Sequence, residues 1–585
     1  MEVWWAMMDN GNKRRKYLAM FLVIWVVQMA AAFYFCVQKQ GFHEDEYYTY
    51  YSTARTNGFY VEDGQWMERD TYRNEFVVLP GQGFQYGLVK LVQSWDVHPP
   101  MYYWVFHTVA SLVPGVFSKW IGLSLNLALW GVNIALLAYL AYRVSGRKEE
   151  LALLVTLFYG LSPAAMSGVV FIRMYEMLTT FVLLCAILHV QAAEHLASGK
   201  WKNLPVLRCL VPMAAVTYLG FLTQYYYFIF LFYLAVAFGV WMLWRERKLW
   251  NCLRYGVSQA VAFALAYLTY PSCLGQMFRG QRGAQATENF FDLSNTLERL
   301  NFFYELLDKF VFGRMLPVLL LLFLVLAVTV YRQKGLRRSK EEEVRKDAAG
   351  KGIDNVIYVI LSFAVLGYFL TVSKTALLLG DTSNRYQLPI YGMIVLLLFQ
   401  ALWTIGSTCL GGHASREKVR DKDDAKQSGA VWQTGSRRKK VGKGTYGFAA
   451  AVAICLIIDV AGLKAGRVVF LYQEDREQLE YALEWEQENT PVIYLYEPGA
   501  EWCIWDVADE LFVYSEVYFA AADSVDEIRD DRIEEAESLV VYVANGTDSK
   551  AQIGRVMDSN GKISETTHVT TEKYCEVYYV SSRGQ

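Results

Sequence analysis

Long apolar stretches recur along the chain from its beginning to about residue 463. The stretch Tyr386–Thr408, for example, carries no charged side chain, and about 20 such residues cross a hydrocarbon core of about 30 Å. The pattern predicts an α-helical polytopic membrane domain over residues 1–463. We expect about eleven transmembrane helices, near 17–36, 119–142, 150–169, 174–193, 209–222, 225–244, 254–271, 311–331, 353–372, 386–408 and 446–463.

One further apolar stretch, residues 99–116, is predicted to be a re-entrant or juxtamembrane helix and not a span. Counting it as a span inverts every later loop and places the basic stretches 337–338 and 437–440 outside. Lys and Arg concentrate on the cytoplasmic side of membrane proteins, which argues against that inversion. Pro114-Gly115 also breaks the stretch, because proline and glycine both interrupt helices.

The basic run Lys13–Lys16 before the first span indicates that the N-terminus lies inside. Several connecting segments then share the outer face, and their polar residues are free to form one site. These segments are 37–118 (the first outer loop), 170–174, 223–225, 272–310, 373–385 and the tail from about 464.

The tail, residues 464–585, has a different pattern from the rest of the chain. Strands alternating with polar helices predict a small extracytoplasmic α/β domain. Cys503 and Cys575 are able to pair there if the domain faces an oxidising compartment. The apolar runs that predict its strands are Val492–Tyr496, Val517–Ala520, Leu539–Val543 and Val577–Val580.

The overall composition also favours a membrane protein. Of the 585 residues, 54% are hydrophobic and 19% are charged, whereas soluble domains carry about 25% charged residues. The net charge is −2 and no long basic stripe is present, so nothing indicates a nucleic-acid partner. The nine cysteines do not have the spacing of metal ligands.

A cluster of ionisable residues, His43, Glu44, Asp45 and Glu46, directly follows the first span. Adjacent carboxylates raise one another's pKa, and a partly desolvated carboxylate is able to act as a base. A solvated acidic loop end is the alternative interpretation. A metal site built from His43 and a carboxylate also stays open, although the spacing is not diagnostic.

Further along the first outer loop, Asp96 and His98 precede two prolines. The prolines permit a helix to begin at Met101, and an anionic group is favoured at such a helix start. The sequence therefore predicts that these two side chains contribute to a binding site. A simple capping role for Asp96 is the alternative.

Two arginines lie at predicted outer ends of spans, each close to a tyrosine: Arg173 with Tyr175, and Arg385 with Tyr386. The planar guanidinium group donates hydrogen bonds in pairs and suits phosphate. We therefore expect an anionic ligand at this face. Anchoring at the membrane interface, for example by Tyr175, is the alternative.

These residues occur in a fixed order, as Asp45-Glu46, Asp96-Val-His-Pro-Pro100, Arg173-Met-Tyr175 and Arg385-Tyr386. In this ordered set the chain resembles the GT-C superfamily of glycosyltransferases, over about residues 20–410. It looks most like the branch of protein mannosyltransferases and aminoarabinose transferases. The resemblance implies a polyprenyl-phosphate sugar donor, a cavity open to the outer leaflet and inversion at the anomeric carbon. The outer loop 272–310 is far shorter than a eukaryotic luminal domain, which implies a bacterial-type enzyme of the plasma membrane.

By matching position, the resemblance implies that Asp45 is the general base, with Glu46 beside it as a second catalytic carboxylate. Arg173, His98 and Arg385 are implied to stabilise the growing charge of the lipid phosphate. It implies no certain cofactor, and a divalent metal stays possible. We expect a glycan, lipid or protein as the acceptor, and its choice can lie in the tail. The predicted substrate-binding set is Asp96, His98, Arg173, Tyr175, Arg385 and Tyr386.

The alternative function is a transporter or flippase of lipid-linked sugars. Transporters place ionisable groups or broken helices near the bilayer midplane, whereas the charges here lie mainly at outer span ends. A non-catalytic surface receptor leaves the Asp45-Glu46 pair and the His98-Pro-Pro string unexplained.

Overall fold

The computed structural model describes residues 11–54, 61–247, 249–337, 348–428, 443–522 and 528–582. Short 3-10 helices cover Asn74–Phe76, Gly380–Tyr386 and Glu501–Val507, and a π-helical turn covers Val206–Leu210. The α-helices are α1 (Gly11–Gln38), α2 (Glu44–Ala54), α3 (Arg69–Arg73), α4 (Tyr86–Trp95), α5 (Met101–Ser111), α6 (Lys119–Val144), α7 (Glu149–Leu161), α8 (Pro163–Val170), α9 (Tyr175–Ala197), α10 (Val211–Thr223), α11 (Tyr226–Glu246), α12 (Trp250–Thr269), α13 (Ser272–Phe278), α14 (Gln281–Phe291), α15 (Thr296–Phe310), α16 (Leu316–Arg337), α17 (Ala348–Thr375), α18 (Leu388–Ser428), α19 (Lys443–Lys464), α20 (Asp475–Gln487), α21 (Ala508–Leu511), α22 (Asp531–Glu535) and α23 (Ser549–Ser559).

Eight straight helices of the described residues are long and apolar enough to cross a membrane. They are α1, α6, α9, α10 with the turn before it, α11, α17, α18 and α19. Two bent pairs of helices also pass together as a broken span or a re-entrant loop: α7 and α8 meet at 58°, and α12 and α13 meet at 101°. Counting each pair as one span gives up to ten spans among the described residues. The apolar part of α16 is shorter, over Leu316–Arg332. Each of the eleven predicted spans coincides with one of these elements, and the chain is a multi-pass membrane protein.

Local sequence explains the break between α7 and α8. Pro163 is the first residue of α8, where a missing N–H is tolerated because the first turn has no partner for it. Ser162 caps the helix, and its hydroxyl accepts the N–H of Ala165 at 3.3 Å. The chain therefore turns within the bundle without leaving α8 uncapped, and α8 delivers the following residues to the site described below.

The apolar stretch 99–116 forms α5, which has 11 residues. At 1.5 Å per residue such a helix is about half as long as a hydrocarbon core is thick, so it does not cross on its own. It begins after Pro100 and ends before a turn in which Gly115 has φ of +75°. This length agrees with the predicted re-entrant or juxtamembrane helix.

Five strands of the tail and one strand from the segment between α1 and α6 form a six-stranded sheet in the order β1-β3-β2-β4-β6-β5. All four predicted strands are present, and β2, β3 and β4 run parallel. Buried apolar clusters lie on both faces of the sheet, while Cys503 and Cys575 are free thiols. The strands are β1 (Gln65–Glu68), β2 (Val492–Tyr496), β3 (Glu516–Ala521), β4 (Ser538–Ala544), β5 (Glu565–Thr571) and β6 (Cys575–Ser581).

Strand β1 belongs to the segment between α1 and α6 and not to the tail. It pairs antiparallel with β3, and Trp66 lies opposite Tyr518. The sheet therefore joins the segment between α1 and α6 to the tail that follows α19. The predicted domain division at residue 463 stays a prediction.

Candidate functional site

Asp45 is the second residue of α2 and lies in the first turn of this helix. Three acidic residues occupy this turn, where the positive end of the helix dipole favours negative charge. The N–H of Asp45 donates to Nδ1 of His43 at 3.0 Å, which fixes the start of the helix. The Asp45 side chain remains 27% exposed, so its carboxylate is accessible from solvent.

Two buried guanidinium groups approach this carboxylate. Nη2 of Arg385 is 3.2 Å from Oδ2 of Asp45, and Nη2 of Arg173 is 3.9 Å from Oδ1. Arg173 also donates to the backbone carbonyl of Asp45 at 3.0 Å. The arginine side chains are only 4% and 3% exposed. The three residues come from α2, from the connection between α8 and α9, and from the turn before α18, and the fold brings them together as predicted.

The charges around Asp45 decide its protonation state. Burial raises the pKa of the Asp45 carboxyl, but Arg385 and Arg173 act against burial. Together they hold the pKa well below its ordinary value, because nearby positive charges favour the ionised carboxylate. Asp45 is therefore an anion between two cations across the physiological pH range.

Asp96 and His98 form the second part of the site. Nδ1 of His98 is 3.1 Å from Oδ2 of Asp96, and the His98 ring is 3.4 Å from Nη2 of Arg173. Asp96 follows the end of α4, and α5 has no side-chain cap at Pro100. The capping alternative for Asp96 is therefore not realised. Instead, the Asp96–His98 pair extends the polar site outward from Arg173.

Aromatic rings surround both arginines. Phe171 stacks on Tyr175 with ring centroids 5.8 Å apart. The Arg385 guanidinium lies 5.4 Å from the centroid of Phe171 and 5.1 Å from that of Tyr386, distances at which cation–π attraction operates. Tyr175 is only 5% exposed, so the alternative of an interface anchor does not fit it. Tyr175 and Tyr386 build the wall of the site.

The connection that carries Arg173 is held by hydrogen bonds from two neighbouring helices, α6 and α2. Nδ2 of Asn126, in α6, donates to the carbonyls of Val169 and Phe171 at 3.1 and 2.6 Å. These carbonyls stand at the end of α8, where helix carbonyls have no partner of their own. The Ile172 N–H donates to Oε1 of Glu46 at 2.7 Å. These hydrogen bonds fix the backbone on the N-terminal side of Arg173, and a fixed backbone restricts where the Arg173 side chain can lie.

Glu46 has a different environment from its neighbour Asp45. Its side chain is fully buried, and its Oε2 accepts from Nζ of Lys39 at 2.9 Å and from the N–H of His43 at 2.6 Å. With Ile172 on the other oxygen, both carboxylate oxygens are engaged in the interior. Burial raises the pKa of Glu46 although Lys39 opposes the shift. This geometry corrects the expected catalytic role of Glu46, because a substrate has no access to it, and gives it a positioning role.

Two contributors to the site escaped the sequence analysis. Lys39 is the buried partner of Glu46. In the sequence it is only a single lysine seven residues before Glu46, and nothing in that spacing indicates an ion pair. Residues 470–472, after the last span, also reach the site: Phe470 stacks on Phe171 at 4.0 Å, and Lys39 donates to the Phe470 carbonyl at 2.7 Å. Phe470 and Tyr472 have φ of +70° and +48°. Aromatic residues rarely adopt this left-handed conformation, so the sequence does not predict it.

The possibility of a metal at His43 finds little support in the geometry. Nδ1 of His43 accepts the Asp45 N–H, and Nε2 lies 3.3 Å from Nη1 of Arg385. A metal ion bound to Nε2 of His43 would lie in contact with the Arg385 guanidinium group, and the two positive charges would repel each other. Burial lowers the pKa of His43 to about 3, so the ring is neutral. In the described part of the chain, no group of three or more His, Cys, Asp or Glu side chains is arranged to hold a metal ion.

No protein-family model and no curated protein matches the chain. Among solved structures it is similar to the aminoarabinose transferase ArnT from Cupriavidus metallidurans, in the apo state with a TM-score of 0.47 and bound to undecaprenyl phosphate with a TM-score of 0.45. Both matches have 12% identity and cover 96% of this chain and 97% of that chain. The chain is also similar to the archaeal oligosaccharyltransferase AglB from Archaeoglobus fulgidus, in complex with an inhibitory peptide and a dolichol-phosphate. That match has a TM-score of 0.39 and 10% identity, and covers 97% of this chain and 74% of that chain. Because these three matches have identities below 25% and TM-scores below 0.5, the functional proposal rests on the geometry of the site.

Proposed function

We propose that this chain is an inverting membrane glycosyltransferase of the GT-C type. It transfers a sugar from a polyprenyl-phosphate donor to an acceptor hydroxyl at the outer face of the plasma membrane. The observation that carries the proposal is the convergence of Asp45, Arg173 and Arg385, from three distant parts of the chain, at the ends of membrane helices. A carboxylate facing two guanidinium groups provides both a base and a phosphate site.

The proposed reaction forms one bond and breaks one bond at the anomeric carbon. The acceptor oxygen attacks this carbon while Asp45 takes the hydroxyl proton. The bond between the anomeric carbon and the phosphate oxygen breaks, and its electron pair leaves with the polyprenyl phosphate. Arg173 and Arg385 stabilise the charge that grows on this phosphate. Attack from the side opposite the leaving phosphate inverts the anomeric configuration.

The exposure of each group supports this division of roles. Asp45, Asp96 and His98 have side chains that are 27%, 27% and 19% exposed, so a substrate is able to contact them. Both arginines are nearly buried and are held by rings and backbone carbonyls. Fixed donors of this kind need no reorganisation when charge develops on the leaving group.

Binding of the donor also changes Asp45. Without a donor, the two guanidinium groups stabilise the Asp45 carboxylate and make it a weak base. A donor phosphate shares these guanidinium groups, because each offers several N–H donors in a plane. The carboxylate then loses part of its stabilisation and becomes a stronger base. Base strength thus increases only when the donor occupies the site.

The test of this proposal is sugar transfer by the purified full-length chain in lipid nanodiscs, supplied with a panel of polyprenyl-phosphate sugars and candidate glycan, lipid and peptide acceptors. Mass spectrometry identifies the product. We expect D45N to lower kcat by about 1,000-fold, because a positioned general base contributes about 10²–10⁴-fold.

The matched control is D70N, which changes an exposed aspartate of the same loop outside the site. We expect D70N to transfer sugar within about two-fold of wild type, since surface changes of this kind are nearly neutral. Residual turnover of D45N above one-tenth of wild type contradicts the role of Asp45 as base. Absence of transfer by the wild type across the whole panel contradicts the transferase proposal.

A second candidate function, transport of lipid-linked sugars, is favoured by two acidic groups inside the spans. Asp459 of α19 is fully buried, and among the described residues neither of its carboxylate oxygens has a hydrogen-bond partner. Glu176 of α9 is 5% exposed and accepts from Nδ2 of Asn133 at 2.7 Å. Ionisable groups within membrane spans are costly and frequently mark ion or substrate pathways.

Proteoliposomes that contain a fluorescent polyprenyl-phosphate lipid distinguish the two functions. Transport predicts that wild-type protein moves the lipid between leaflets, that D459N stops this movement and that D45N does not. The transferase predicts the reverse for sugar transfer: D45N is inactive, and D459N transfers sugar to the extent that it folds.

A further inference from the structure

The tail domain holds the helix that carries Asp45. Glu44, the residue immediately before Asp45, forms an ion pair with Lys573 in which Oε2 and Nζ are 2.6 Å apart. The hydroxyl of Tyr574 donates to the same Glu44 oxygen. Lys573 and Tyr574 lie directly before β6. The tail thus contacts the first residue of α2 from the side opposite the bundle.

A second contact lies two residues beyond Asp45. The hydroxyl of Tyr47 donates to Oδ1 of Asp509 at 2.7 Å, and the N–H of Asp509 donates to the same hydroxyl at 3.2 Å. Tyr47 is fully buried, so these hydrogen bonds form away from water and are costly to break. Glu44 and Tyr47 are three residues apart and therefore lie on one face of the helix.

Aromatic packing extends this contact along α2. The ring of Trp505, in the tail, lies 4.5 Å from the ring of Tyr48 and 4.6 Å from the ring of Tyr51, between centroids. Aromatic pairs at such distances contribute about 0.5–1.5 kcal/mol beyond their buried area. The tail therefore contacts both the first turn of α2 and the turn that follows it.

The segment before α2 is also fixed by the tail. The N–H of Gln40 donates to the Leu471 carbonyl at 2.8 Å. A Cβ atom on Gly41 would stand 1.8 Å from Oδ2 of Asp475, so a larger residue at this position must displace the Asp475 side chain. Both ends of the turn that presents Asp45 are consequently set by residues from beyond the last span.

We propose that the tail domain positions Asp45 by holding the first turn of α2 at Glu44 and Tyr47. Lys573 and Asp509 are then positioning residues for the transfer reaction, and the inference rests on the proposed function. The membrane bundle holds one face of α2 through Glu46 and the Asp45 carbonyl, and the tail holds the opposite face at Glu44 and Tyr47. Without the tail, α2 is held on one face only. Release of the tail contact therefore displaces the base from the phosphate site, and a displacement of about 1 Å can cost about 10²-fold in rate.

The test compares K573M, Y47F and the double variant K573M/Y47F in the full-length chain, in the transfer assay described above. We expect each single variant to lower kcat by about 10-fold and the double variant to lower it by about 100-fold. KM for the lipid-linked donor should stay within two-fold of wild type, because the arginines are unchanged. K573R, which keeps the ion pair with Glu44, should restore kcat to within three-fold of wild type.

The matched control is K562M, which removes a lysine that contacts the Glu535 carbonyl at 2.9 Å, away from α2. Equal losses of kcat in K562M and K573M overturn the positioning role, since they reduce the effect to general damage of the tail. A double variant that keeps kcat within two-fold of wild type also overturns it. A selective loss in K573M, rescued by K573R, supports it.

Hydrogen exchange of residues 40–54 separates this proposal from the proposed function. It is measured on wild type and K573M/Y47F without any substrate. Faster exchange in this segment, with unchanged exchange in α6, supports the positioning role even if the wild type transfers no sugar from the panel. Unchanged exchange in residues 40–54 overturns the positioning role while active wild-type protein leaves the transferase proposal intact.

Discussion

Two groups of carboxylates lie on opposite sides of α2 and differ in the charges around them. On the bundle side, Asp45 faces two arginines, and they hold its pKa well below the ordinary value despite burial. On the tail side, burial and then the charge of Asp509 raise the pKa of Asp475 to about 8. Burial also raises the pKa of Asp506 to about 7, although Lys573 opposes the shift.

The comparison shows how one residue type serves two purposes. A carboxylate that faces buried cations stays ionised and is available for chemistry, because the cations compensate its desolvation. A carboxylate that faces other carboxylates is driven toward its neutral form, which is easier to pack in an interface. The first turn of α2 meets both environments, because Asp45 pairs with Arg385 while Tyr47 donates to Asp509.

Among the tests of this comparison, the largest effect is expected from removing one of the two cations that face Asp45. We expect R385M to lower kcat/KM for sugar transfer by about 100-fold, because one of the two phosphate-stabilising guanidinium groups is lost. Part of the loss should be a higher KM for the donor. The control is R476M, which removes an exposed arginine paired with Glu480 in α20, where an ion pair contributes little. If R385M keeps kcat/KM within three-fold of wild type, Arg385 does not contact the donor phosphate.

An intermediate effect is expected from pH on the tail side. The folded-state pKa of Asp475 lies above its unfolded value, so the neutral form stabilises the fold below about pH 4 and this contribution is lost as pH rises through about 8. We expect the Tm of the wild type to fall between pH 6 and pH 9. D475N should lose part of this dependence and exceed wild type at pH 9 by about 4 °C or more, the shift that ~1 kcal/mol gives a domain of this size. The charged groups that raise this pKa are Asp509, Glu474, Glu572 and Asp506.

An unchanged difference in Tm between wild type and D475N across this pH range contradicts the tail side of the comparison. The neighbouring acids have raised pKa values as well, so D475N should remove only part of the dependence. The sign is the informative result: a wild type that gains stability as pH rises from 6 to 9 is incompatible with buried, protonated carboxylates in this contact.

Sequence reasoning predicted the membrane helices because hydrophobic length alone defines them. It also predicted that Asp45, Arg173 and Arg385 share one face, since helix topology determines which loops can meet. It did not distinguish Asp45 from Glu46. Adjacent residues of a helix point about 100° apart, so one carboxylate faces the site and the other the interior. Which of them does so depends on Lys39, a contact that composition does not reveal.

The tail illustrates a different limit. Its four central strands were predicted from apolar runs, which are typical of buried strands, and three of these strands run parallel. The edge strands were missed because one of their faces is solvated and their sequences are polar: β1 is Gln-Trp-Met-Glu and β5 is rich in threonine. The attachment of β1 to the tail, and hence the link between the tail and Asp45, depends on contacts between residues more than 440 positions apart. No local pattern encodes such a contact.

The smallest expected effect is on the acid side of the pH–rate profile. Because the Asp45 pKa lies well below its ordinary value, the base stays ionised, and protonation of Asp45 should change kcat/KM by less than two-fold between pH 5 and pH 7. His43, with a pKa of about 3, stays neutral over the same range. R385M should shift the acid limb to higher pH. A wild-type profile that falls ten-fold per unit below pH 6.5, together with an unshifted R385M profile, contradicts the electrostatic account of Asp45.

The most direct measurement is an experimental structure of the wild-type chain with a bound polyprenyl phosphate. The account predicts that phosphate oxygens lie within about 3.2 Å of guanidinium nitrogens of both Arg173 and Arg385, with the Asp45 carboxylate facing the space beside the phosphate. A phosphate bound elsewhere, with both arginines still paired to Asp45, contradicts it.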